Sequence, residues 1–286
     1  MNISFQYNQL AFATIELLSM LPLIIEPEDL EPILGNKELL VIDLCTNANY
    51  SHIHIPGAIH VDPGELVSGI KPATGKLPDR HKLAALLSRI GWSDDVHVVA
   101  YDDEGGGWAG RFLWTLDVVG HASWSYLNGG LIAWMTEQRV VTSEPSIPVP
   151  TIVEIEICSD AIAEKETVLD ALQDDQVVIW DARSSQEFSG ERRVAARGGH
   201  IPGAINLDWL ETMDRNHAMR IRADIAQVLR SRGITKEKQV ITHCQTHHRS
   251  GLTWLIGKAL NYNISAYHGS WSEWGNDPDT PIEEGA

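Results

Sequence analysis

Short apolar runs alternate along the chain with stretches in which apolar residues recur every three or four positions. Leu39–Asp43 and Val177–Asp181 are typical of buried strands, and each run ends in an aspartate. Residues 83–90 and 221–229 have the spacing of helices that bury one face, and each stretch is soon followed by a glycine, a common helix stop. Strands that alternate with such helices predict parallel sheets covered on both faces, which is an α/β fold.

The same pattern of segments occurs twice. The sequence His-Ile-Pro-Gly-Ala-Ile stands at residues 54–59 and again at residues 200–205, after the first and the second aspartate-ended strand. Two more pairs follow in the same order, residues 96–102 with 239–244 and residues 127–134 with 267–274. Four matched segments in one order predict two tandem α/β domains, each a parallel sheet flanked by helices.

This repeat divides the chain into four predicted segments. They are an N-terminal extension (1–20), a first domain (21–139), a proline-rich linker (140–154) and a second domain (155–286). Residues 10–25 are apolar, but they include Glu16 and Pro22 and are short for a membrane span. We therefore interpret this stretch as an extension that leads into the first domain.

Composition limits the classes of function. The 286 residues include 22 lysines and arginines against 39 aspartates and glutamates, a formal net charge of −17 at pH 7. So acidic a chain is a poor partner for nucleic acid. Its three cysteines argue against a disulfide framework and for a reducing compartment. We expect a cytoplasmic protein that binds neither nucleic acid nor a membrane.

One cysteine lies where α/β proteins place their active sites. Cys244 follows a predicted strand and precedes a helix predicted from Ser250 onward. Ligands gather at the carboxyl ends of parallel strands, and a helix N-terminus, Arg249 and nearby histidines would favour a thiolate. The matching residue of the first copy is Asp102, whose carboxylate cannot replace a sulfur nucleophile. The sequence predicts a single active site, in the second copy.

Jointly, these features resemble the rhodanese (sulfurtransferase) family in its two-domain form. The resemblance runs from about Leu21 to Trp274 and rests on the two repeated boxes, the strand end Asp181-Ala-Arg183, the Cys244 loop and the closing Gly-x-x-x-x-Trp stretch. It implies two rhodanese-like domains, the first inactive and the second catalytic. It also implies that Cys244 carries sulfur, as a persulfide, from thiosulfate or 3-mercaptopyruvate to cyanide or a thiol.

The resemblance implies roles for further residues and for partners. The loop after Cys244 would bind the donor and enclose the persulfide through Gln245, Thr246, His247, His248 and Arg249. No metal or organic cofactor is expected, and the candidate partners are the small sulfur donor, the thiol or cyanide acceptor and a thioredoxin-like reductant.

Some loop positions depart from the family pattern. Gln245 stands where the thiosulfate type has Arg and the mercaptopyruvate type has Gly, and His247 replaces a common Gly. Glu187 occupies the place of a frequent substrate-binding Arg. These departures leave the identity of the sulfur donor open.

Supporting residues are predicted around the loop. Asp181 and Arg183 would brace it, structurally as much as catalytically. A cation from the insert before Gly199 (Arg192, Arg193 or Arg197) would take the place of the missing arginine.

Other interpretations of the loop stay open. Cysteine-dependent phosphatases have five residues between Cys and Arg, whereas four stand between Cys244 and Arg249. A persulfide carrier that does not turn over would need the same loop, and the cysteine and histidines are metal ligands by type. Residues 105–110 spell G-x-G-x-x-G, but the acidic residues 102–104 before them would repel a pyrophosphate.

Overall fold

In a computed structural model, residues 21–158 and 160–285 of the chain are described, and they contain two parallel five-stranded sheets flanked by helices. The predicted α/β fold with two tandem domains is therefore confirmed. The predicted N-terminal extension, residues 1–20, lies outside the described residues.

The central strand of the first sheet is buried along its whole length because helices cover both faces. The strands are β1 (Ile24–Ile25), β2 (Leu39–Asp43), β3 (Ile59–His60), β4 (His97–Tyr101) and β5 (Trp124–Leu127), in the spatial order β1-β5-β4-β2-β3. The helices of this domain are α1 (Pro27–Leu30), α2 (Asn47–His52), α3 (Arg80–Arg89), α4 (Gly107–Val118) and α5 (Gly130–Thr136).

The second sheet repeats this arrangement strand for strand. Its strands are β6 (Ile162–Ala163), β7 (Val177–Asp181), β8 (Ile205–Asn206), β11 (Gln239–His243) and β12 (Ile264–Tyr267), in the order β6-β12-β11-β7-β8. A separate antiparallel pair consists of β9 (Met213–Asp214) and β10 (Arg220–Ile221). The helices are α6 (Lys165–Ala171), α7 (Ser185–Ser189), α8 (Ile225–Ser231), α9 (Arg249–Ala259) and α10 (Ser270–Trp274).

Strand register places the candidate nucleophile and its counterpart at equivalent points. Asp43 of β2 pairs with Tyr101 of β4, and Asp181 of β7 pairs with His243 of β11. The next residue in each copy, Asp102 or Cys244, therefore leaves the carboxyl end of the same central strand.

The two domains meet where α4 and α9 cross. An added Cβ on Gly251 would lie 2.5 Å from both the amide nitrogen of Arg111 and the carbonyl oxygen of Gly107, so the two backbones are in contact there. Farther along, Trp124 and Trp254 pack with ring centroids 5.7 Å apart, and one apolar core runs through both domains. The first domain therefore lies directly against the helix that follows Cys244.

One predicted helix begins later than expected. The prediction for residues 221–229 is wrong at its start, since Ile221 belongs to β10 and α8 begins at Ile225. Ile221 pairs with Met213, and its amide donates to Asn128 Oδ1 of the first domain at 2.9 Å. Tertiary hydrogen bonds thus outweigh the helical spacing of this segment.

The β9–β10 pair fastens the second domain to the first. The Arg220 guanidinium donates to Glu26 Oε2 at 2.7 Å and also pairs with Glu137. Both carboxylates belong to the first domain, so this pair adds ion pairs to the contact between α4 and α9.

We expect Gly251→Ala to destabilise the protein, because its methyl group would push α4 and α9 apart. Overpacking of this kind costs about 1–3 kcal/mol, which exceeds the roughly 1 kcal/mol that alanine gains over glycine in a helix. Thermal and denaturant unfolding measure the effect.

Gly257→Ala is the matched control on the same helix. There the added methyl would meet the side chain of Ile264, 2.6 Å away, which can rotate, so the loss should be smaller. Equal stability of Gly251→Ala and the native protein would contradict the close crossing.

Candidate active site

Cys244 is completely buried at the end of β11, in the loop that leads to α9. Its Sγ accepts a hydrogen bond from Ser250 Oγ at 3.5 Å, and its amide donates to Ser270 Oγ at 3.4 Å. Its carbonyl accepts from the amide of Trp271 at 2.9 Å. The sulfur therefore has a fixed position with a hydroxyl donor beside it.

The surroundings of Cys244 favour its thiolate. Burial alone would raise the pKa of the thiol, but Arg249, the hydroxyl and amide of Ser250, and His248 lower it further than burial raises it. The net effect holds the pKa below its ordinary value. A thiolate is the reactive form of cysteine, so the site is prepared for nucleophilic attack.

Arg249 is held in place by the carboxylate of Glu187. Its guanidinium donates two hydrogen bonds to Glu187, at 2.6 and 2.9 Å. Burial raises the pKa of Glu187, but the charge and hydrogen bonds of Arg249 bring it below its ordinary value. Glu187 thus fixes the orientation of Arg249 and offsets part of its charge.

The backbone of His247 has a conformation that glycine adopts more easily than other residues. Its φ is 55°, in the left-handed region that glycine adopts most easily. Its ring is buried against the edge of Trp114, with centroids 4.4 Å apart, and Nδ1 hydrogen-bonds to Ser250 Oγ at 2.7 Å. Burial and the charge of Arg111 lower the pKa of His247 well below its ordinary value. The neutral ring therefore supports the Ser250 hydroxyl next to Cys244.

His248 is bound by residues of the first domain. Its Nε2 pairs with the carboxylate of Glu104, and its ring stacks on Trp108 with centroids 4.4 Å apart. Trp209 of the second domain lies on another side, 5.6 Å away between centroids. The first domain thus supplies part of the wall next to the loop.

Histidines near Cys244 have separate partners. Nε2 of His243 lies 3.6 Å from Asp181 Oδ2, while His247 bonds to Ser250 and His248 pairs with Glu104. Each of the three rings therefore lies beside a different side chain.

Asp181 and Arg183 form a buried ion pair beneath the loop. Arg183 Nη2 donates to Asp181 Oδ2 at 2.6 Å and to the carbonyl of Gly199 at 2.8 Å. The guanidinium lies 4.3 Å from the centroid of the Trp271 ring. Burial raises the pKa of Asp181, but Arg183 and His243 bring it below its ordinary value. The pair connects β7 to the segment around Cys244.

The arginines predicted to supply a missing cation lie in the insert. Arg193 is exposed, and Arg197 donates to Thr280 Oγ1 at 2.5 Å and to the carbonyls of Thr280 and Trp274 at 2.8 and 3.1 Å. These bonds engage Arg197 with the C-terminal segment. The supporting role of both arginines stays a prediction.

The side chain of Gln245 and the backbone of Thr246 contact parts of the chain outside the loop. Gln245 Nε2 donates to the carbonyl of Val194 at 3.4 Å. The carbonyl of Thr246 lies against Gly75 of the first domain, where a Cβ would not fit. The structure therefore brings the predicted loop residues together, with both domains around them.

Arg111 of α4 is a residue of this site that the sequence motifs do not reveal. Its guanidinium is fully buried and donates to the carbonyls of Leu66, Gly75 and His247 at 2.7, 2.8 and 3.5 Å. The lone positive charge of a largely apolar helix was the available signal, because such a residue seldom enters a core without a function or a partner.

In the first domain the carboxylate of Asp102 fills the equivalent loop and accepts hydrogen bonds from its amides. Asp102 Oδ1 accepts from the amides of Glu104, Gly105 and Gly106 at 3.1, 3.1 and 2.8 Å, and Oδ2 accepts from the amide of Ala109 at 3.0 Å. Burial, with help from the Glu104 carboxylate, raises the pKa of Asp102 to about 6. A ring of amides able to hold an anion is therefore occupied by the protein itself.

Comparison with known proteins finds one family in both halves of the chain. A family model described as "Rhodanese-like domain" matches residues 26–137 and 164–277. A thiosulfate sulfurtransferase of Azotobacter vinelandii is 50% identical, over 92% of this chain and 97% of that protein. One of Pseudomonas aeruginosa is also 50% identical, over 93% of this chain and 98% of that protein.

Solved structures share the fold. An anaerobic ergothioneine biosynthesis enzyme of Chlorobium limicola, in complex with trimethyl histidine, superposes with a TM-score of 0.81 at 22% identity. The match covers 92% of this chain and 70% of that one.

Within residues 21–158 and 160–285, no helix is long and apolar enough to cross a membrane.

We expect the double variant Glu187→Gln/Arg249→Met to raise the pKa of the Cys244 thiol. Arg249 lowers that pKa more than any other neighbouring charge does, and replacing Glu187 as well avoids leaving a buried carboxylate unpaired. The thiolate should then form at higher pH and be scarcer at neutral pH. Its ultraviolet absorbance, measured against pH with Cys244→Ser subtracted, reports the midpoint.

Arg232→Met is the control, since Arg232 pairs with Glu211 on the surface of the same domain and should leave the midpoint unchanged. A midpoint in the double variant at or below the native one would show that Arg249 does not stabilise the thiolate.

Proposed function

Because the chain belongs to the rhodanese family and is a sulfurtransferase, we propose that it transfers the outer sulfur of thiosulfate through a persulfide on Cys244. The observation that carries the proposal is the buried Cys244, whose thiol pKa is lowered at the carboxyl end of a central strand. The 50% identity to proteins named thiosulfate sulfurtransferase supports thiosulfate as the donor.

The first half-reaction is a displacement at sulfur. The Cys244 thiolate attacks the outer sulfur of thiosulfate, a new S–S bond forms, and the old S–S bond breaks. Sulfite leaves with the electron pair of the broken bond and so takes up the charge that the thiolate brings. The outer sulfur keeps the negative charge that it carries in thiosulfate and becomes the terminal sulfur of the persulfide anion. Attack therefore requires no proton transfer, provided that the thiol is already ionised.

The second half-reaction returns the thiolate. Cyanide attacks the outer sulfur, the persulfide S–S bond breaks, and thiocyanate leaves while Cys244 regains its electron pair. A thiol acceptor, including that of a thioredoxin-like reductant, would receive the same sulfur atom. We place this activity in the cytoplasm, because the free cysteines Cys45, Cys158 and Cys244 suit a reducing compartment.

Asp102 supports an assignment of the groups that would hold the persulfide. Three of the amides that bind its carboxylate belong to residues two, three and four positions after it. The corresponding residues after Cys244 are Thr246, His247 and His248. Their amides would stabilise the negative outer sulfur as the first-domain amides stabilise a carboxylate.

Sulfur uptake tests the proposal directly. Native protein incubated with thiosulfate should gain one sulfur atom by intact-protein mass spectrometry and lose it to cyanide as thiocyanate over many turnovers. Cys244→Ser should neither gain sulfur nor release thiocyanate, because it lacks the thiolate. Cys158→Ser, which alters an exposed cysteine, should behave as the native protein does.

Each alternative has a distinct outcome. Faster uptake from 3-mercaptopyruvate than from thiosulfate would overturn the donor assignment, and one stoichiometric transfer without turnover would indicate a carrier. Hydrolysis of a chromogenic phosphoester that depends on Cys244 would indicate a phosphatase. Full sulfur transfer by Cys244→Ser would contradict the proposed mechanism.

A further inference from the structure

Arg111 is a buried cation that the first domain presents to the loop of the second. Its side chain is fully buried in α4, beside the crossing with α9, and its guanidinium lies 4.7 Å from the centroid of the Trp114 ring. Trp114 in turn packs against His247. One of the three carbonyls that accept from Arg111 belongs to His247, so this side chain reaches the loop itself.

Within residues 21–158 and 160–285, no carboxylate forms an ion pair or a hydrogen bond with Arg111. Its acceptors are the neutral carbonyls of Leu66, Gly75 and His247, and its buried Nε has no acceptor. Burial lowers the pKa of the guanidinium to about 9, and the negative charge of Cys244 acts in the opposite direction. At neutral pH the side chain therefore remains charged, and Cys244, once ionised, is the anion that stabilises it.

The other basic side chains near Cys244 contact carboxylates. Arg249 is paired with Glu187, and His248 is paired with Glu104. The carboxylate of Glu187 offsets part of the charge of Arg249. A buried cation without such a partner keeps its full charge, so at a given distance it attracts an anion more strongly than a paired cation does.

The remaining titratable groups that face Arg111 are histidines. His247 on the loop and His268 after β12 both have pKa values lowered chiefly by burial, and Arg111 lowers them further. Both rings are neutral at neutral pH, so they leave the charge of Arg111 uncompensated.

We propose that Arg111 is a positioning residue for sulfur transfer. From the first domain, its positive charge stabilises the negative charge on Cys244 of the second domain. The inference rests on the proposed persulfide chemistry and extends it. The first domain has no nucleophile at Asp102, yet it supplies a cation that stabilises the thiolate and, after sulfur uptake, the persulfide anion. This function would explain why a fully buried arginine occupies a largely apolar helix.

A purely structural role for Arg111 makes a different prediction. Hydrogen bonds to three carbonyls could simply fasten residues 66 and 75 to the loop. If so, a variant that loses hydrogen-bond donors would disturb the loop around Cys244, and a variant that loses only the charge would not. Arg111→Lys keeps the charge with fewer donors, whereas Arg111→Gln keeps amide donors without the charge, so the two variants separate these roles.

The test is the thiolate titration of Cys244 in the full chain, followed by ultraviolet absorbance with Cys244→Ser subtracted. We expect Arg111→Gln to move the midpoint to higher pH and to slow sulfur uptake from thiosulfate at neutral pH about tenfold. Arg111→Lys should keep a midpoint close to the native one. Lys258→Met is the matched control, because Lys258 bridges the same two helices to Asp117 at 3.0 Å and should leave the midpoint unchanged.

Several other outcomes would overturn the inference. A native midpoint in folded Arg111→Gln would show that the charge does not act on Cys244. A midpoint as high in Arg111→Lys as in Arg111→Gln, or loss of folding in Arg111→Lys, would show that the hydrogen bonds matter and the charge does not. If only Arg111→Gln fails to fold, the midpoint of Arg111→Lys decides alone, with a native value supporting the inference and a raised one contradicting it.

Failure of the proposed function would look different. A raised midpoint in Arg111→Gln, together with no sulfur uptake by the native protein, would leave the electrostatic inference intact and remove the persulfide chemistry. Normal sulfur uptake by the native protein with an unchanged midpoint in Arg111→Gln would leave the persulfide chemistry intact and remove the electrostatic inference.

Discussion

Helices α4 and α9 cross where Gly110 faces Gly251, and no side chain separates the two backbones. Because α9 begins at Arg249, this crossing brings the first domain against the loop that carries Cys244. Any larger residue at the crossing would move Arg111 away from that loop. The duplicated fold is thus more than a repeated scaffold, since one copy completes the surroundings of the other.

Charge is balanced closely around the nucleophile. Burial disfavours a thiolate at Cys244, and a set of donors and cations more than compensates. The carboxylate of Glu187 that orients Arg249 also offsets part of its charge, so the net field at the sulfur depends on this pair rather than on the arginine alone. A persulfide anion, whose charge lies farther out, would meet the same field.

Much of the fold, and the place of Cys244 in it, could be predicted from the sequence because the repeat appears in short, strongly apolar strands. The bounds of β2 and β7 follow from their composition, and Asp102 was recognised as the counterpart of Cys244. Contacts between the domains could not be predicted, since they join residues far apart in the chain. The pairing of Glu187 with Arg249 emerges only once α7 and α9 come together in the second domain, and the approach of Arg111 to the loop only once α4 packs on α9.

The most direct test of a single sulfur-carrying site is a crystal structure of the protein after reaction with thiosulfate. The account predicts one additional sulfur atom bonded to Cys244 Sγ and enclosed by the amides of the following loop. Asp102 should remain bound to its own loop amides, as it is before the reaction. Sulfur on Cys45 or Cys158, or an unmodified Cys244 in protein that has taken up sulfur, would contradict it.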